Sequence, residues 1–281
     1  MFSNAHVGYN LLNKKLQKSL FRAVLIIKFI TIKIVNKPMP TEYDYIDIIG
    51  TTHEIAKNFA DEKMNEYYHK QEVRMVQKLV QKMNLTNYEN VIDLGCSIGT
   101  WYPDYKKLGF KRIVGIDISQ ERANEAKKRG YDEVHICNAS KLPFENESVE
   151  IIISNDVLVH VLQDSDKLKI FQEVKRILKN GGIFIFNFAN ANGNGFQSYT
   201  TKEYCRWNTI QTMSTLIKES GLNTEFIIPG YYAMPRIGAH PKAVSFSTTV
   251  VFPILDLLLQ NARNFSLSKV IYFGVRKLEN F

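Results

Sequence analysis

Val91-Ile92-Asp93-Leu94-Gly95-Cys96-Ser97-Ile98-Gly99-Thr100 decides how the chain is read. Val91, Ile92 and Leu94 make a short apolar run of the kind that forms a buried strand, and Asp93 stands at its end. Gly95 and Gly99 then permit a tight turn and a close backbone approach to a ligand. A helical pattern begins near Trp101, so the free N–H groups at its start would point at whatever binds there. A second apolar strand follows, Arg112-Ile113-Val114-Gly115-Ile116-Asp117, and it too ends in an acid. A glycine turn after one strand, with a carboxylate at the end of the next, is a geometry that grips an adenosyl ribose.

Two other readings of the stretch fit less well. A dinucleotide fingerprint needs a third glycine, and Thr100 and Trp101 stand where it would be sought. Gly95-Cys96-Ser97-Ile98-Gly99 also matches a nucleophile elbow, but an elbow follows earlier strands, and the preceding stretch is helical in pattern. A ligand-free strand and turn would leave two strand-end carboxylates without partners, which is costly.

The wording of the two segments resembles the class I S-adenosylmethionine-dependent methyltransferases. Their first motif is an acid, one residue, then glycines at alternate positions. Here it reads Asp93-Leu94-Gly95-Cys96-Ser97-Ile98-Gly99, with Ser97 in place of the middle glycine. The resemblance covers roughly residues 53–230. It implies that S-adenosyl-L-methionine is the cofactor and that Asp93, Gly95, Ser97 and Gly99 cradle its methionine part. Asp117 would hold the ribose hydroxyls, with Ile118 beside it. After a short third strand comes Cys137-Asn138-Ala139, where the family carries an acid and then Ala against the adenine amino group. Asn138 replaces that acid, and its amide oxygen can accept the same hydrogen bond.

The apolar strand Val149–Ser154 runs into Asn155-Asp156, which the resemblance places beside the cofactor, facing the methyl group. His160 follows closely and is the candidate general base, because imidazole titrates near neutral pH. Asp156 and Asp164 are the nearest acids that could orient it. The alternative is a histidine that packs or caps without chemistry. A helix over Asp166–Lys179, a turn at Asn180-Gly181-Gly182 and a strand over Ile183–Phe188 continue the βα series. This regularity argues for a parallel sheet covered on both faces.

The expected fold is α/β: a Rossmann-like, doubly wound, seven-stranded sheet in the order 3-2-1-4-5-7-6 with strand 7 antiparallel. Strands six and seven are assigned to Thr224–Ile228 and Lys269–Gly274, after a helix over Thr201–Ser220. Residues 1–40 form a basic extension, 41–88 a helical cap, and 89–281 the methyltransferase domain with an insertion at about 229–268. Within the cap, Tyr43, Tyr45, Phe59, Tyr67 and Tyr68 could touch cofactor or substrate, or simply pack. Ala189–Gln197 is polar and glycine-bearing and reads as a loop at the sheet's edge. The insertion holds Tyr231, Tyr232, Arg236, His240 and an apolar helix over Val251–Leu259. It reads as a substrate-side element or a partner surface.

Composition narrows the function classes. At 45% hydrophobic and 23% charged residues, the chain has the make-up of a soluble globular protein. The net charge of +8 is concentrated in residues 1–40, which hold seven Lys or Arg and no acid. The rest is close to neutral, so no nucleic-acid partner is expected. The apolar run Leu20–Val35 is too short and too charged to span a membrane. Residues 1–38 read as an extension outside the domain, or as sequence upstream of a start at Met39. Weak contact of residues 14–37 with an anionic membrane surface is the alternative. Cys96, Cys137 and Cys205 have neither paired nor metal-like spacing and fit a reducing, cytoplasmic setting. The function implied is methylation of an oxygen or nitrogen on a small-molecule acceptor, a polar metabolite. The rival is a binding module of the same fold that acts through partners. The oligomeric state is left open.

Overall fold

The computed structural model describes residues 59–193, 205–230, 245–261, 265 and 268–278. Helix α1 (Phe59–Lys82) leads into β1 (Asn90–Leu94), α2 (Tyr102–Leu108), β2 (Arg112–Asp117), α3 (Gln120–Lys128) and β3 (Glu133–Ile136). Then come β4 (Val149–Ser154), a 3-10 turn (Leu158–His160), α4 (Asp164–Ile177), β5 (Leu178–Ala189), α5 (Ile210–Ser220) and β6 (Asn223–Pro229). A π turn (Ser247–Val251) continues into α6 (Phe252–Asn261), and β7 (Val270–Arg276) ends the series. The strands form one seven-stranded sheet in the order β3-β2-β1-β4-β5-β7-β6. β7 is antiparallel to both its neighbours, and the other pairs are parallel. This is the expected topology. β1 lies between β2 and β4, so the loops leaving β1 and β4 diverge and open a crevice at the carboxyl edge.

Alternation along the strands buries both faces. On one face Val91, Ile113, Ile151, Ile153, Ile183, Ile185 and Tyr272 pack with Tyr105 of α2 and Ala123 and Ala126 of α3. On the other, Ile92, Val114, Ile152, Phe184, Phe186 and Phe273 pack with Phe171 and Val174 of α4 and Met213 and Ile217 of α5. Stacked rings fill the centre of this second face: Phe184 and Phe186 lie 4.8 Å apart, and Phe186 and Phe273 5.4 Å.

Several boundaries differ from expectation for identifiable reasons. The described part of the expected helical cap, residues 59–88, packs into the domain. Met75, Val76, Leu79, Val80 and Met83 of α1 are buried in the first face, so this helix is a layer of the domain. Tyr67 packs edge-on against Phe252 at 5.5 Å, a packing role. α4 begins and ends earlier than expected, and β5 starts at Leu178. Leu178 pairs with Val149, the register shifts, and Ile183 pairs with Ile151, so Asn180-Gly181-Gly182 is a bulge inside β5. The helix expected from Thr201 starts at Ile210, where the Thr209 hydroxyl caps the N–H of Thr212 at 3.0 Å. Before it, Asn208 is extended and bridges to Asn190. The π turn precedes Pro253, which has no N–H to continue a regular ladder.

Outside the described residues lie 1–58, with Tyr43, Tyr45 and the 14–37 segment. So do the tip of the Ala189–Gln197 loop and Tyr231, Tyr232, Arg236 and His240 of the insertion. Among the described residues no helix is long and apolar enough to cross a membrane.

Leu79 is fully buried at the centre of the α1 contact. Leu79→Ala should therefore cost about 2–5 kcal/mol in urea unfolding. A loss below about 0.5 kcal/mol, as for an ordinary surface substitution, would contradict the place of α1 as a layer of the domain.

Candidate cofactor site and acceptor edge

The site grows from the last paired residues of β1 and β2, where Leu94 lies opposite Ile116. Beyond that pair, the N–H groups of Gly95 and Cys96 both donate to the Ile116 carbonyl, at 2.7 and 2.9 Å. The Gly99 N–H donates to the Cys96 carbonyl at 2.8 Å and closes the turn. Three residues of this turn are left-handed: Gly95 at φ +86°, Ser97 at +48° and Gly99 at +83°. Ser97 thus adopts the conformation its missing glycine would favour, at a cost of about 1–2 kcal/mol. Its N–H donates to Asp117 Oδ2 at 2.8 Å, while Asp117 Oδ1 accepts from the Ser119 N–H at 2.9 Å. One carboxylate therefore ties the turn after β1 to the turn after β2.

The glycines also have a packing reason. A Cβ on Gly95 would lie 2.1 Å from Val157 Cγ2, and one on Gly99 would lie 2.9 Å from Tyr131 Cε2 and 3.0 Å from Ala126 Cα. Gly95 makes room for the chain after β4 and Gly99 for α3 and the loop that follows it.

Asp93 is also corrected. Its side chain points under the turn and is 2% exposed. The Tyr105 hydroxyl donates to Oδ1 at 3.1 Å, and the Tyr131 hydroxyl donates to Oδ2. Burial pushes its carboxyl up to about 7; the Tyr131 and Tyr105 hydrogen bonds pull it down, and Asp117 nearby adds a smaller push upward. Asp93 supports the turn from below. Cys96 is buried beside it, and burial raises its thiol, as befits a filler.

At the neighbouring strand ends, Ile118 is 71% exposed and Ile136 is 41% exposed. Ile136 pairs with Asp117, so the two apolar side chains stand beside the Asp117 carboxylate. Asn138 is turned away from the role expected of it. Its Oδ1 accepts from the Ser140 N–H and hydroxyl, both at 2.9 Å, and closes its own loop. Ala139 is partly buried against the second core face.

At the end of β4 the Ser154 hydroxyl donates to the Leu94 carbonyl at 2.9 Å, locking this strand's end to β1. Asn155 is 8% exposed and its amide lies against the Tyr105 hydroxyl, with hydrogen-bonding capacity left over on both Nδ2 and Oδ1. A buried amide in that state can take a further bond from a ligand or water. Asp156 follows at φ +57° and is held by Asn187. His160 is exposed at the end of the 3-10 turn, with Nδ1 3.7 Å from Cys205 Sγ. The acids expected to orient it are engaged elsewhere: Asp156 with Asn187, and Asp164 with Arg206 at 2.6 Å and Asn208 at 3.2 Å. Sequence reasoning missed Asn187 and Tyr272. A lone polar residue inside the run Ile183–Phe188 was a usable signal for the first, and nothing marked the second.

A family model described as a methyltransferase domain matches residues 92–186. An uncharacterised protein of Methanocaldococcus jannaschii is 32% identical over 136 residues, which is 48% of this chain and 49% of that one. Phosphoethanolamine N-methyltransferase 1 of Arabidopsis thaliana is 24% identical over 153 residues, covering 51% of this chain and 30% of that one. The chain spans about half the length, or less, of the curated relatives it matches. Among solved structures, an S-adenosylmethionine-dependent methyltransferase of Methanosarcina mazei superposes with a TM-score of 0.52 at 16% identity, over 71% of this chain and 98% of that one. A methyltransferase solved with the Haloferax volcanii Trm112 activator gives a TM-score of 0.55 at 14% identity, over 82% and 99%.

The Asp93 environment makes stability depend on pH with a definite sign. An unfolded Asp titrates near 3.9, so between about pH 4 and 7 the folded state holds a proton that the unfolded chain releases. This contribution is present below that window and is lost as pH rises through it. From pH 5 to 8 the wild type should lose roughly 2 kcal/mol more stability than Asp93→Asn in urea unfolding. Equal losses in both proteins would contradict the assignment.

Proposed function

We propose that this chain, which carries a class I S-adenosylmethionine-dependent methyltransferase domain, moves a methyl group to an oxygen or nitrogen of a small polar metabolite. The observation that carries the reading is the Asp117 carboxylate tied across the two turns at the switch point of the sheet. The residues present fit S-adenosyl-L-methionine. Each Asp117 oxygen accepts one N–H and keeps a lone pair for a ribose hydroxyl. The exposed faces of Ile118 and Ile136 suit a flat apolar ring, and the Asn155 amide, beside the Tyr105 hydroxyl, keeps hydrogen-bonding capacity for the polar end. Gly95, Ser97 and Gly99 supply the backbone of the turn on which that end would rest.

When bound, the cofactor supplies an already activated methyl group, so the protein's task is alignment and exclusion of water. Asp117 and the turn set the donor's position. The ends of β4 and β5 face the place where the acceptor would stand. His160 is the side chain on that edge suited to take the acceptor's proton, with Cys205 against its ring. The polar acceptor is supported by the exposed Asp156 at the end of β4, and by the amine named for the Arabidopsis relative. We place the protein in the cytoplasm, with no nucleic-acid partner, and assign residues 14–37 no more than a weak contact with anionic membrane.

Calorimetry should show the full chain binding S-adenosyl-L-methionine, and Asp117→Ala should weaken it about tenfold to a hundredfold. Unchanged affinity in folded Asp117→Ala would sink the assignment. Turnover is read from S-adenosylhomocysteine release across small alcohols and amines. Tight cofactor binding without release on any acceptor would favour the binding module. On an acceptor that turns over, His160→Ala should lower kcat by roughly 10²–10⁴ with cofactor affinity kept. A variant with wild-type kcat removes His160 from the chemistry.

A further inference from the structure

The segment between β6 and β7 leaves and rejoins the sheet at its carboxyl edge. Pro229, the last residue of β6, pairs with Ile271, and the Gly230 N–H donates to the Val270 carbonyl at 2.8 Å. Val270 in turn pairs with Ala189 at the end of β5. Residues 245–261, the described stretch within this excursion, contain the π turn and α6. One face of this helical stretch is covered. Phe252 is buried against Tyr67 of α1, and Val251 and Leu255 join that cluster together with Met64 and Tyr68.

The opposite face is apolar as well, and it stays exposed. Eight large apolar side chains are exposed among the described residues, and five of them lie here: Phe246, Val250, Ile254, Leu257 and Leu258. Phe246 and Leu257 are each 60% exposed and Ile254 is 54% exposed. Their positions follow the helical repeat, so they form one stripe along the helix. Single exposed apolar residues need no explanation, whereas a contiguous stripe marks a contact surface. The stretch 245–261 contains one charged residue, Asp256, so little in it opposes transfer to an apolar phase.

Three occupants are open to such a stripe, and charge and area choose between them. Five side chains present roughly 500 Å², short of the about 800 Å² per partner of a standard protein interface, which disfavours a second copy. The apolar run Leu20–Val35 of this chain would carry Arg22, Lys28 and Lys33 into the contact, where Asp256 is the one acid the stretch offers. An anionic bilayer meets neither limit. Its headgroups answer the seven Lys and Arg of residues 1–40, which have no acid among them. That basic stretch leads into α1, the helix on which α6 packs.

We propose that the outer face of α6 and of the π turn before it is a docking surface for an anionic lipid bilayer, with the basic residues 14–37 as its electrostatic partner. A basic tether alone holds a protein to anionic lipid weakly, and stable attachment takes two signals. Here the apolar stripe is the second. Its side chains enter the boundary between headgroups and acyl chains, and the cations lie at the headgroups. The chain is then anchored through a segment that starts and ends at the candidate site's edge of the sheet.

The test is co-sedimentation of the full chain with vesicles of phosphatidylcholine alone or with phosphatidylglycerol added. The chain should pellet with the phosphatidylglycerol vesicles and much less with phosphatidylcholine alone, and raised salt should weaken the binding. The double variant Ile254→Ser, Leu257→Ser should bind roughly tenfold or more weakly. Its urea midpoint should match that of the wild type, because both side chains are exposed. Ile254→Phe with Leu257→Phe keeps the stripe apolar and should bind as the wild type does. No pelleting with either vesicle, equal pelleting with both, or a serine variant that binds as tightly as the wild type overturns the inference. A wild-type dimer in sedimentation velocity that the serine variant loses, without vesicle binding, overturns it as well and makes the stripe an interface between two copies.

Discussion

Asp117 accepts one N–H from the turn after β1 and one from the turn after β2, and the geometry of the carboxyl edge follows from that pair of hydrogen bonds. Two parallel strands can end side by side without their loops touching. Here a charge-assisted hydrogen bond to Ser97 draws the first loop over the second, and it helps to offset the cost of a left-handed serine. The second bond, to Ser119, sets the start of α3, whose N-cap is that same residue. A carboxylate with both oxygens already oriented is preorganised to accept hydroxyl donors without rearrangement.

The underside of the turn is held as firmly as its top. Asp93 is buried with two tyrosine hydroxyls, one from α2 and one from the loop after α3. The desolvation of an acid in that place is large enough to bring its titration toward neutrality. Gly95 then brings Val157 against the turn, so the chain after β4 packs directly onto the loop proposed for the cofactor. Through this contact and the Ser154–Leu94 hydrogen bond, the edge that would meet an acceptor is fastened to the edge that would hold the donor. The proposed methyl transfer would demand that kind of rigidity, since such a reaction is governed by alignment.

Much of the fold was legible because its signals are local. The apolar runs of β1, β2 and β4 and the acids at the ends of the first two stand in sequence in the order the sheet uses. The Ser119 cap of α3 was readable for the same reason. Boundaries failed where tertiary contacts decided them. Asn180–Gly182 reads as a turn between a helix and a strand, yet β4 pairs with β5 on either side of it. The span Thr201–Asn208 reads as helical by apolar spacing, while Asn208 is drawn into a bridge with Asn190. In the site, Asp117 was identifiable from its position alone. The burial of Asp93, the use of the Asn138 oxygen by Ser140 and the occupation of the Gly95 side by Val157 depend on side chains distant in sequence or on rotamers. No spacing rule encodes those.

The central claim is that the Asp117-tied turns are the seat of the cofactor, and a crystal structure of the full chain with S-adenosylhomocysteine tests it most directly. The account predicts ribose hydroxyls donating to the Asp117 carboxylate, the adenine ring against Ile118, and the amino-acid end on the Gly95–Gly99 turn with the Asn155 amide bonded. A ligand seated elsewhere, with Asp117 bonded only to Ser97 and Ser119, would contradict it.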